Sequence, residues 1–422
     1  MRLSPSLAWI AAVPLLGCAA LAPCSRATDA TASISPCASS TPWCQPSLTL
    51  TGERWDNVSG GLRTGSRWNS LADLTLEIDL ARLGGPAGAS LTAQLFWIEN
   101  QKTEADFGAL TGGANPVSGL NAADSWRVFN LYYRQSWGDN RFALKVGQLA
   151  IDDDFMGSDY AGLFAFSGFG AMPTQVATPL AASHDHHSAF PIYAVAGPGI
   201  WFSAKATEKL TLQAGLYHGG PGPDERDNHG FDYDDAHGAG LVLFYEASYR
   251  FAFTDHASTL RAGGSIHTGR FDDFAALNAG AEVATVRGIH SFYAIQDLVL
   301  LAADADHPKL AAFWRAGLSP QQDRSVVHRY ADAGLNWFAP LPSRADDIAG
   351  IAISYTEFGR EYRRTDQALA AAETALELTY RAKVTEHLAL QAIVQRLFNP
   401  RPADDGHRHP ATVLGLRAEW SY

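Results

Sequence analysis

The last ten residues, 413–422, alternate without a break. Leu414, Leu416, Ala418, Trp420 and Tyr422 fall on one side, and Val413, Gly415, Arg417, Glu419 and Ser421 on the other. A period of two marks a strand with unlike faces, and ten such residues cross a bilayer when tilted. Past the N-terminal region no run of about twenty apolar residues occurs, because charged residues recur every few positions. Spanning helices are excluded, and spanning strands are not.

Met1 and Arg2 precede an apolar run over 7–22, with no acid before Asp29. This reads as a secretory signal segment, too short and wrongly flanked for a spanning helix. Ser25-Arg26-Ala27 offers a small-x-small cleavage site, giving an expected signal peptide over 1–27. Leu15-Leu16-Gly17-Cys18 resembles a lipoprotein cleavage box with a poorly fitting second Leu, so lipidation of Cys18 stays open. Cys18 and Cys24 lie in or beside the signal core, which leaves Cys37 and Cys44 as the mature pair. In an oxidising compartment that pair is expected to form a disulfide within a periplasmic N-terminal segment, 28–46. Two further ligands for a metal are missing nearby.

The roughly 390 remaining residues suit two or three soluble domains or one large closed sheet. Abundant Gly, frequent aromatics, three Met and a mean hydropathy of -0.10 favour the sheet, since alternating faces average out. A net charge of -12 argues against a nucleic-acid partner, which needs a basic face.

Working back from the C-terminus, candidate strands fall near 47–59, 68–80, 90–100, 125–137, 141–151, 193–206, 209–218 and 238–251. The rest fall near 258–270, 288–301, 310–319, 328–340, 347–358, 373–384, 387–398 and 412–422. Short links such as 138–140, 207–209, 342–346 and 385–387 alternate with long ones such as 101–124, 152–191, 219–236, 271–287, 359–372 and 400–410. Membrane barrels need that alternation, with short turns facing the periplasm and long loops facing outside. The expected fold is all-β: a transmembrane antiparallel barrel of about sixteen strands over 47–422, in the bacterial outer membrane after export. Its last strand resembles the C-terminal sorting strand of outer-membrane barrels, which implies lipid and the barrel-assembly machinery as partners. Closure is required because an open edge in hydrocarbon leaves backbone groups unpaired. Sixteen strands enclose an aqueous lumen, and the longest loop, 152–191, is the candidate to narrow it.

In order and spacing, several stretches are similar to the OprB-type carbohydrate-selective porins. They are Lys145-Val146-Gly147-Gln148 through Asp153-Asp154-Phe155 to Phe164 and Phe169, then Pro191-Ile192-Tyr193 and Gly197-Pro198-Gly199. Next come Gly288, Tyr293-Ala294-Ile295-Gln296-Asp297 and Phe313-Trp314-Arg315-Ala316-Gly317-Leu318-Ser319-Pro320. Asp332-Ala333-Gly334-Leu335 and Ser343-Arg344-Ala345-Asp346-Asp347 complete the set. The resemblance implies sixteen strands, passive uptake of small sugars, no cofactor and no catalytic residues. Residues 120–124 and His184-Asp185-His186-His187 depart from it, in loops expected outside.

If apolar side chains face lipid, the other parity lines the lumen. Phe129, Leu131 and Tyr133 then point out and Asn130, Tyr132 and Arg134 in; Phe142, Leu144 and Val146 out and Lys145 in; Leu260, Ala262 and Ile266 out and Arg261 and His267 in. Arg315, Glu377, Arg381, Lys383, Arg417, Glu419, Glu77 and Asp79 also fall inside. Guanidinium groups donate to several hydroxyls at once and aromatic faces accept the C–H side of a pyranose. The expected constriction is Arg134, Lys145, Arg261 and Arg315 from the wall with Asp153, Asp154 and Phe155 from the long loop. Trp97, Trp420, Tyr133, Tyr249 and Tyr422 suit interfacial belts.

Each of these features has a plainer reading. Lumen charges are also needed to solvate the wall and to pair across strands. The run Asp152-Asp153-Asp154 offers oxygens to calcium but lacks the Gly and distal Glu of a calcium loop, and the His184 cluster reads as solvated loop. The basic lumen leaves a general or anion-preferring porin as the alternative, ahead of a closed structural barrel. An outer-membrane enzyme is disfavoured because no Gly-x-Ser-x-Gly accompanies the histidines. A monomer and a homotrimer are both compatible with the sequence.

Overall fold

The terminal alternation becomes a two-faced wall. In the strand Ala411–Ser421, Val413 is fully buried while Leu414 and Leu416 are 43% and 54% exposed. The computed structural model describes residues 43–100, 108–182, 188–234, 238–253, 256–304 and 307–422. Its strands are β1 Cys44–Ser59, β2 Gly65–Asp79, β3 Ala89–Asn100, β4 Ser125–Trp137, β5 Phe142–Leu149, β6 Gly197–Lys205, β7 Leu210–His218 and β8 Leu241–Phe253. Around the other half run β9 His256–Asp272, β10 Thr285–Ala302, β11 Pro308–Leu318, β12 Val327–Phe338, β13 Ile348–Phe358, β14 Ala372–Lys383, β15 Leu388–Phe398 and β16 Ala411–Ser421. Each pairs antiparallel with its chain neighbours, and β16 returns to β1 with Thr49 opposite Ser421 and Arg54 opposite Leu416. The sheet is a closed barrel of sixteen strands, with no open edge among them. Among the described residues no helix is long and apolar enough to cross a membrane.

Trp97, Trp420, Tyr249 and Tyr422 stand exposed on the outward wall, and Tyr133 is half-buried there with its hydroxyl donated to Gln135 at 2.6 Å. Inward aromatics close the wall by lying on glycines of their own or a neighbouring strand. A Cβ on Gly199 or Gly215 would come within 2.4 or 2.5 Å of the Tyr217 ring, and one on Gly415 within 2.4 Å of Trp55. No side chain larger than hydrogen fits beneath those rings.

Parity breaks in β4. Gln94 pairs with Asn130 but Leu95 with Val128, so Phe129 is an extra residue in a bulge. It turns inward and stacks on Phe96 at 4.4 Å, correcting its expected outward place. β6 begins at Gly197, not near 193, because the Tyr193 amide donates to the Asp152 carboxylate at 3.2 Å and is taken by the loop. Cys44 is buried and disulfide-bonded. Its expected partner Cys37, the signal segment and the His184–His187 cluster lie outside the described residues.

Candidate functional site

The segment 150–196 between β5 and β6 turns into the lumen at once. The Asp154 and Phe155 amides fold back on the Ile151 carbonyl at 3.1 and 3.0 Å, and the Phe155 side chain anchors the turn by packing on Phe244, centroids 5.5 Å apart. An irregular chain inside a barrel must find partners for its backbone, and here the wall supplies them. On β7, Gln213 donates to the Asp154 carbonyl at 2.7 Å; on β10, Asp297 accepts from the Ser158 hydroxyl at 2.5 Å and the Asp159 amide at 3.1 Å. Asn336 of β12 donates to the Tyr160 carbonyl at 2.9 Å, and Gln391 of β15 to the Leu163 carbonyl at 2.7 Å. Glu377 of β14, fully buried, accepts from the Ala165 and Phe166 amides at 2.8 and 2.9 Å. Buried carboxylates satisfied by N–H donors form strong charge-assisted bonds, so each fixes one point of the loop. Beyond, in the helix Pro173–Ala182, the Gln175 amide oxygen accepts from the Ser265 and Ser291 hydroxyls at 3.0 and 2.8 Å.

A second inward segment lies on the first. The amides of Ala114 and Asn115, from the loop after β3, donate to Glu373 of β14 at 2.6 and 3.2 Å. The Ser118 hydroxyl donates to Glu53 of β1 at 2.6 Å, and the Gly119 amide to the Ala165 carbonyl at 2.9 Å. The alternation of short and long links predicts an outside loop over 101–124. Its polar, glycine-rich composition carries no periodicity that would distinguish an inward course.

The expected wall cations divide by partner. Lys145 is held at 2.6 Å from Asp154 and lies over the rings of Tyr132 and Trp201 at 5.1 and 4.9 Å. Arg261 is paired with Asp297, and with Asp159 of the loop at 2.8 Å. Arg134 lies half-buried on the same wall, its charge acting on Asp154. Arg315 requires a correction. It faces inward but is fully buried, bidentate to the two oxygens of Asp332 at 3.1 and 2.5 Å and donating to the carbonyls of Gly168 and Gly170, both at 2.7 Å. Its donors are spent on the loop, so it is an anchor and not a solute contact. Phe155 is corrected in the same way: its ring is packed away, 1% exposed.

Asp153 is the exposed member of the acidic run, with Asn130 donating to it at 2.7 Å. Asn130 also donates to Gln94, and Gln94 to Asp73 of β2 at 2.9 Å, extending a polar chain along the wall. Burial beneath the loop, reinforced by the adjoining Asp153 charge, pushes the Asp152 carboxyl above the usual carboxylate range. Asp153, open to the lumen but enclosed by loop and wall, shifts the same way, with loss of surrounding water the largest cause. Further along the lumen wall, Arg417 donates to Glu53 at 2.7 Å and Arg381 to Glu419 at 2.7 Å, while Glu77 is exposed. Asp79 leaves the expected lining: it caps the turn after β2, accepting from the Ala81 amide and from Arg82, both at 3.0 Å.

Two cavities flank the loop. One of about 480 Å³ is lined by 152–155, Gly157, Ser158 and Asp159 and by wall residues including Gln213, Glu246, Arg250 and Arg261. The other, about 550 Å³, lies between both inward segments and the long-loop end of the barrel, with Tyr193, Phe358, Tyr362 and Arg401 in its lining. Asp152 alone lines both. Each volume suits a small organic solute.

Among curated proteins no sequence matches the chain. Among solved structures it is similar to the high-pH structure of OprB from Pseudomonas putida, with a TM-score of 0.78 at 18% identity over 90% of this chain and 94% of that one. The low-pH structure of the same protein matches with a TM-score of 0.55 at 13% identity, over 90% and 92%. At these identities the likeness speaks for the fold. The model of the carbohydrate-selective porin, OprB family matches residues 64–422. The chain belongs to that family of carbohydrate-selective porins and is an outer-membrane β-barrel.

Proposed function

We propose that the protein lets small sugars diffuse passively across the outer membrane, through the passage that the inward loop leaves beside the wall. The observation that carries this reading is the loop itself. It is tied across the lumen from Gln213 on β7 to Gln391 on β15, and so narrows a wide barrel, with solute-sized cavities beside it that both have Asp152 in their lining. The solute contacts are Arg134, Lys145 with Tyr132, Arg261, Asp153 and Asp154, with Arg381, Arg417, Glu419 and Glu77 along the approach. Guanidinium forks and carboxylates offer donors and acceptors to hydroxyls, and each contact is weak enough to release what it binds, as conduction requires. Long loops face outside and short turns the periplasm, and the assembly machinery engages the strand ending in Tyr422. Purified, folded protein in planar bilayers is expected to conduct, with neutral sugars reducing the current. In liposomes, swelling should be faster with monosaccharides than with trisaccharides. Folded protein that carries no current would overturn the reading.

A further inference from the structure

We infer that the passage prefers cations, so that neutral and amino sugars pass while sugar acids and sugar phosphates are held back; this rests on the diffusion pathway proposed above. The smaller cavity is lined by five carboxylates, Asp152, Asp153, Asp154, Asp159 and Glu246, against two guanidiniums, Arg250 and Arg261. Arg261 is already engaged by Asp159 and by Asp297. Lys145 is engaged by Asp154, between two aromatic rings. Farther along the wall Arg417 is matched by Glu53 and Arg381 by Glu419.

Several acids, by contrast, accept hydrogen bonds only from neutral groups, although Lys145 acts on Asp153 and Arg261 on Glu246 through space. Asp153 accepts from Asn130, Asp73 from Gln94 and Thr75, and Asp152 from the Tyr193 amide at 3.3 and 3.2 Å. Glu246 accepts from Gln213 and Tyr293. The Oδ2 atom of Asp154, in a carboxylate whose side chain is 9% exposed, accepts from no described group. Arg134 and Arg250 are in no ion pair among the described residues, and two cations do not balance the four acids Asp73, Asp152, Asp153 and Glu246.

Position gives the excess its effect. Asp152 is the residue common to both cavity linings, so its charge bears on a solute in either one. Protein walls on either side focus the field there, and screening is weaker than on an open surface. A basic lumen, read from residue types, suggests the opposite sign. Pairing reverses it.

The test is a reversal-potential measurement on the full chain in planar bilayers, under about a tenfold KCl gradient at a pH where carboxylates are ionised. The wild-type protein is expected to show cation preference. Asp152→Asn with Asp153→Asn should lower the cation-to-anion permeability ratio by at least roughly threefold, whereas Glu386→Gln on a turn leaves it unchanged. Swelling assays should rank glucosamine and glucose above glucuronate, and the double variant should narrow that gap. Heat-modifiable gel migration verifies that each variant is folded. A conducting channel that prefers anions, or a ratio unmoved in the folded double variant, overturns this inference and leaves the porin reading intact. Absence of any conductance overturns both.

Discussion

Arg315 shows how a residue type can be legible while its role is not. Its parity and charge place it in the lumen, but the sequence around it does not reveal that Asp332 on the next strand and two loop carbonyls take up its donors. Replacing it with Met leaves a buried Asp332 carboxylate facing no cation, a change that costs about 3–5 kcal/mol. Denaturant titration of Arg315→Met in micelles should show that loss, and Arg315→Met with Asp332→Leu should recover part of it. Asp152 and Asp153 supply a pH dependence. Their folded pKa values lie above the ordinary range, so as pH falls toward mildly acidic values they take up protons before an unfolded carboxylate would. Their contribution to stability is therefore fullest below the usual carboxylate pKa and declines as pH rises through their raised values. The charged groups facing them include Asp73, Arg134, Lys145, Asp154, Asp159, Glu246, Arg250 and Arg261. Reversal potentials taken from pH 8 down to pH 5 should show cation preference shrinking as the two carboxyls are neutralised.

At the level of elements, the strands were readable because hydrocarbon on one side and water on the other impose a period of two on every spanning segment. All sixteen expected segments coincide with observed strands, to within a few residues at most ends. The exceptions have local causes. The β4 bulge adds one residue and reverses the face of Phe129, which no alternation count can register. The inward segments carry no period, and their wall partners, Glu373, Glu377 and Asp297, lie more than a hundred residues away in sequence. Glu377 read as one more lumen charge, although it fixes two loop amides. In Glu377→Ala the amides of Ala165 and Phe166 lose their acceptor. Single-channel recordings should show larger open-state current noise than wild type, with weaker block by sugar. A strand-level counterpart is Gly415→Val, which drives a branched side chain into Trp55. It should lower stability by about 1–3 kcal/mol, seen as a lower temperature for loss of heat-modifiable migration.

For the whole molecule, the inward loop is bonded to β7, β8, β10, β11, β12, β14 and β15, and through side chains of Asp153, Asp154 and Asp159 to β4, β5 and β9. Such a loop behaves as a set of spokes inside a hoop. Spokes resist flattening of the rim, so the diameter of the opening is set once, when the barrel is assembled. They also cannot swing aside singly, since release at one strand leaves the others holding. A cell that needs a wider or narrower opening of this kind is therefore expected to change how many copies it installs, while acidity alters only which charges pass.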